Sequence, residues 1–154
     1  MKRMVIALVV MGLLSVTVRG QQVPSQIEQK IRQIYAEKYP EDFSAQKVLI
    51  DDQLESYRHM QRWRTEQGVP QQTFDKLKEI YGAKYPYDFS AQKVLVKDQC
   101  EAYRFLQQYR SAQGVPQGTF ESIKRTYAAK YPTDFSVQKV LIQDQVESYR
   151  ELNP

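Results

Sequence analysis

Apolar residues recur along this chain at spacings of three and four, in two blocks per period, and the pattern is laid down three times. In the middle copy Phe74, Leu77, Ile80, Tyr81 and Tyr85 mark one face of a helix. Phe120, Ile123, Tyr127 and Tyr131 do so in the last copy, and Ile27, Ile31, Ile34, Tyr35 and Tyr39 in the first. The second block predicts a longer helix from Phe43 to about Arg64, because Phe43, Ile50, Leu54 and Tyr57 fall within about 60° of one another at 100° per residue. Ser25 and Glu28 have capping-box spacing at the start of the first helix. Gly68-Val69-Pro70 and Gly114-Val115-Pro116 precede the later ones, where glycine would close one helix and proline open the next.

Between the blocks stands the phrase Tyr-Pro-x-Asp-Phe. Tyr39 precedes Pro40, and a residue before proline is pushed out of the helical region, so the first helix should stop there. Asp42 can then accept backbone N–H groups as an N-cap, with its charge at the favourable end of the helix dipole. Tyr85, Pro86 and Asp88 repeat the arrangement, as do Tyr131, Pro132 and Asp134, at a constant period of 46. From Tyr35 to Arg58, sixteen of twenty-four positions are identical in all three copies.

A fixed period of this length marks a repeat architecture. The expected fold is all-α: three tandem helical hairpins of about 46 residues stacked as a short array, with repeats over 25–70, 71–116 and 117–154 and a short linker over 21–24. Val48, Val94 and Val140 lie about 140° from the phenylalanine on the helical wheel and predict a second contact face, where one hairpin packs on the next. Gln46 and Gln53 recur as glutamine in every copy. Their amides would satisfy carbonyls of the chain reversal or groups of the partner helix, a ligand contact being the other reading.

Residues 1–20 read as a secretory signal peptide cut after Gly20: Lys2 and Arg3, an apolar run from Met4 to Val18, then Val18-Arg19-Gly20. The run has about fifteen residues against the ~20 needed to span a bilayer. An uncleaved anchor is the alternative, and no cysteine follows Gly20 to carry a bacterial-type lipid. The expected location is secreted or periplasmic. Loss of Lys2, Arg3 and Arg19 takes the 22 basic residues to 19, against 18 acidic ones, so the surplus that nucleic-acid binding requires is gone.

One cysteine and one histidine limit the chemistry. Cys100 aligns with Leu54 and Val146 and reads as a small core hydrophobe. His59 and Trp63, matched by Phe105 and Tyr109, should cover the junction between units. Asp52 with Glu55, Asp98 with Glu101 and Asp144 with Glu147 form paired carboxylates that could hold Ca²⁺ or act as acid and base, though on an exposed helix such pairs are solvated charge. No phosphate loop or hydrolase motif occurs, and no cofactor is implied. Of eleven tyrosines, the three equivalents of Tyr35, Tyr39 and Tyr57 fall on core faces, leaving Tyr87 and Tyr109 for a surface.

The run Tyr-Pro-x-Asp-Phe-Ser-x-Gln resembles a short motif of uncharacterised bacterial exported proteins, in which Trp-Pro-Asp-Asp-Phe bends a helix–turn–helix unit that often carries a cysteine on either side. The resemblance covers Tyr35 to about Arg58 of each copy. It implies that a disulfide of those proteins is replaced here by contacts of Tyr35 with Leu49, Tyr81 with Leu95 and Tyr127 with Leu141.

These readings converge on a secreted, non-catalytic module that binds or scaffolds an unknown protein or peptide. Alternatives are a binder of wall polymer or membrane surface, or an enzyme or metal site built on the repeated Asp/Glu pairs.

Overall fold

The computed structural model describes residues 22–111 and 114–154. The leader reading therefore lies outside the described residues. Six helices alternate short and long: α1 (Ser25–Lys38), α2 (Phe43–Arg62), α3 (Gln71–Lys84), α4 (Phe89–Gln108), α5 (Gln117–Lys130) and α6 (Phe135–Leu152). The described chain is all-helical, an array of three hairpins.

Each hairpin closes on one hydrogen-bond pattern. The Tyr39 N–H donates to the Tyr35 carbonyl and ends α1. The Asp42 N–H then turns back to the Tyr39 carbonyl at 3.3 Å, and Asp42 Oδ1 accepts the Ala45 N–H at 2.9 Å. Asp88 caps α4 through Ala91, and Asp134 caps α6 through Val137. Gln46 Nε2 donates to the Tyr39 carbonyl at 2.6 Å, as Gln92 does to Tyr85 and Gln138 to Tyr131. A helix leaves its last carbonyls without partners, and these glutamines supply one from the following helix.

The long helices lie side by side, α2 on α4 and α4 on α6, and each short helix packs on the long helix of its own hairpin. The cores are correspondingly local. Val23, Ile31, Ile50, Leu54 and Tyr57 form the first; Phe74, Leu77, Val96 and Cys100 lie in the second; Phe120, Ile142 and Val146 in the third. Phe89 crosses from the second hairpin into the first core, edge-on to Tyr57 at 4.9 Å. Phe135 repeats the crossing against Tyr103 at 5.0 Å.

Several expectations are corrected. Val48, Val94 and Val140 are exposed (67, 53 and 62%) and make no second contact face. The buried positions of α4, from Ala102 round to Cys100, sweep about 160° of one continuous arc, wide enough for the short helix and the neighbouring long helices together. No opposite stripe is needed. Phe43 is not a core residue: it is 74% exposed because no hairpin precedes it among the described residues, whereas Phe89 is 8% exposed. Ser25 makes no capping box; Pro24 holds the cap position without a side-chain bond, and Glu28 binds Arg32 instead. Gly68 does not close α2, which ends at Arg62; Gly68 and Gly114 turn the linkers at φ 81° and 86°, where a side chain would be strained. Val23, placed in a linker by its sequence position, is buried in the first core, as Val69 and Val115 are in theirs.

Candidate functional site

Two features recur from unit to unit: a junction buried between hairpins and an outer face open to solvent.

The junction is built on Gln53, buried on the flank of α2. Its carbonyl Oε1 accepts the N–H of Phe89 at 2.6 Å and of Ser90 at 3.2 Å, the first two donors of α4. Its Nε2 donates to Tyr35 Oη at 3.1 Å, Asp88 Oδ1 at 3.1 Å and Ser90 Oγ at 3.0 Å. The first N–H groups of a helix have no internal partner, so Gln53 of one hairpin caps the long helix of the next. Gln99 makes the same contacts to Phe135, Ser136, Tyr81 and Asp134. Burial pushes the Tyr35 and Tyr81 hydroxyls to higher pKa, with the Asp88 and Asp134 carboxylates acting in the same direction.

A second tie runs the other way. Lys78 Nζ on α3 donates to the Met60 carbonyl at the end of α2 at 2.7 Å, and Lys124 on α5 reaches the Leu106 carbonyl at 3.2 Å. Burial holds the Lys78 ammonium below its usual pKa. Trp63 and Tyr109 cover these junctions, edge-on to Phe74 and Phe120. Tyr109 is partly buried against the third core, while Tyr87 is exposed. Cys100 is fully buried and burial pushes its thiol up to about 11, with the Glu66 carboxylate contributing. His59 rests on Trp63 at 5.1 Å, and burial, then Lys93, hold its pKa down.

The outer face carries Val48, Val94 and Val140 together with Asp52, Glu55, Asp98, Glu101, Asp144 and Glu147, all exposed. Local pairs offset part of this charge, Lys97 with Glu101 at 3.8 Å and Arg150 with Glu147 at 2.7 Å, while Lys47 pairs with the adjacent Asp51 at 2.8 Å. Among the described residues no group of three or more His, Cys, Asp or Glu side chains converges on a metal position. A depression of about 620 Å³ beside Phe135 is lined by Tyr103, Leu106, Lys124, Arg125 and Gln138. Among the described residues no helix is long and apolar enough to cross a membrane.

Sequence reasoning placed the turn residues Tyr39, Pro40, Asp42, Tyr85, Pro86, Asp88, Tyr131, Pro132 and Asp134 at the bends between paired helices, where they stand. It anticipated a partner-helix contact for Gln53, met by Tyr35, but missed its partners in the next hairpin and the reach of Lys78. A signal existed for the lysine: Lys78 and Lys124 are matched, but the first copy has Arg32, which has no preceding helix end to hold among the described residues and pairs with Glu28.

No protein family matches the chain, and neither a curated protein nor a solved structure does.

Proposed function

We propose that this protein is a secreted, non-catalytic helical-repeat module that binds or scaffolds a protein or peptide through the outer face of its long helices. One observation carries the reading: Val48, Val94 and Val140 stay exposed at matched positions on consecutively packed helices. A single exposed valine needs no explanation. Three in register form a ladder with steps of about 8–10 Å, the spacing of packed helices. The flanking Asp/Glu pairs add negative charge at the same interval, which suits an extended partner with apolar and basic side chains. On this reading the carboxylate pairs steer and select; they do not act as acid and base.

The test is capture from the extracellular or periplasmic fraction with the parent chain and with a V48E/V94E/V140E variant. The reading expects a partner held by the parent and lost from a variant that keeps its helicity. Equal capture by both would end it, and cosedimentation of the parent with wall polymer or lipid vesicles would move the assignment to the cell envelope.

A further inference from the structure

Among the described residues, the two internal junctions leave one half-junction open at each end of the row. At the first end, Asp42, Phe43 and Ser44 match Asp88, Phe89 and Ser90, yet Phe43 is 74% exposed. Among the described residues no side chain accepts the N–H groups of Phe43 and Ser44, whose counterparts are held by Gln53 and Gln99. At the other end, Tyr127, Gln145 and Tyr149 match Tyr35, Gln53 and Tyr57. Gln145 is exposed and makes no side-chain hydrogen bond among the described residues, whereas Gln53 and Gln99 are buried and fully engaged.

We propose that the chain stacks on a second copy of itself, head to tail. The Asp42-Phe43-Ser44 end of one copy docks on the Tyr127-Gln145-Tyr149 end of another and forms a third junction of the internal kind. A second copy fits because the interface is one already formed twice: the residues of the glutamine junction recur at the two ends, Asp42, Phe43 and Ser44 at one and Tyr127, Gln145 and Tyr149 at the other, while the lysine tie has Arg32 in its place, paired with Glu28. The Phe43 ring would meet Tyr149 as Phe89 meets Tyr57. Gln145 Oε1 would accept the Phe43 and Ser44 N–H groups, and its Nε2 would donate to Tyr127 Oη and Asp42. Such a contact is heterologous, joining two different patches, so it adds copies one after another instead of stopping at a pair. It uses the ends of the row and leaves the outer valine face free, so it stands or falls independently of the proposed partner.

Sedimentation velocity of the purified full chain, from micromolar to near millimolar, tests it. The expected result is a concentration-dependent series that passes beyond dimer. F43A and Q145R alter exposed residues, so each should keep parent helicity and melting temperature while its self-association weakens by about thirtyfold or more, as for a central aromatic anchor. Mixed together, the two variants should form a one-to-one dimer and nothing larger, because each retains the end that the other lacks. A chain that stays monomeric throughout, a parent that stops at two copies, or variants that associate like the parent would each overturn the proposal.

Discussion

The side-chain carbonyl of Gln53 accepts the backbone N–H of Phe89 at 2.6 Å, across 36 residues of chain and from one hairpin to the next. The same amide reaches Tyr35 in its own hairpin and Asp88 in the neighbour. One buried side chain therefore couples the packing of a hairpin to the cap of its successor, and Gln99 repeats the device. This explains why the repeated phrase holds a turn, a cap and a glutamine together: each unit supplies one half of a junction and receives the other.

Gln53→Ala removes the acceptor for two helix-end donors and the donor to Tyr35. Leaving buried polar groups unpaired costs ~1–3 kcal/mol, so the urea midpoint should fall accordingly. Gln53→Glu should not restore it, because the new carboxylate would face Asp88. Equilibrium denaturation followed by circular dichroism checks both.

Phe89→Ala and Phe43→Ala should separate cleanly although the residues are equivalent in sequence. Phe89 fills the first core, and removing a buried aromatic costs ~3–5 kcal/mol. Phe43 is exposed, and a surface change of this kind lies within about 0.5 kcal/mol at concentrations where the chain is monomeric. Equal losses of stability would contradict the assigned crossing of Phe89.

The bends at Tyr39-Pro40, the aspartate caps and the order of helices were legible in the sequence because each rests on local chemistry: proline's effect on its neighbour, and a carboxylate at a helix start. Gln46 was legible as a bond to the chain-reversal carbonyl for the same reason, its partner being seven residues away. The neighbours of Val48 and Phe43 were not. Periodicity identifies an apolar arc but not what covers it, and a stacked array leaves its first unit with the same residues as the second and half the contacts. Beyond Tyr35, the partners of Gln53 lay in the next copy of its own motif, where nothing local points to them.

Ser56 is fully buried and its hydroxyl has no hydrogen-bond partner among the described residues, while the equivalent Ala102 is buried without a polar group. Ser56→Ala should therefore raise the melting temperature, with a gain on the order of 1 kcal/mol. A lower melting temperature would show that the hydroxyl is satisfied.

Cys100 titrates near 11 in the folded chain, above the ordinary thiol value of 9.0. At pH 8 its thiolate is on the order of a hundredfold scarcer than in the unfolded chain, so a disulfide reagent should react at least that much more slowly before urea is added. The folded pKa is the higher one, so the stabilising contribution of the protonated thiol is fully present below pH 9 and is lost as pH rises toward about 11. Cys100→Val should flatten that part of the pH–stability curve.

Amide hydrogen exchange at Phe43, Phe89 and Phe135, followed by NMR on dilute monomer, tests the junction most directly. The account predicts slow exchange at Phe89 and Phe135, near-free exchange at Phe43, and selective loss of the Phe89 protection in Gln53→Ala while Phe135 stays protected. Equal protection at all three amides, or an unchanged Phe89 in that variant, would contradict it.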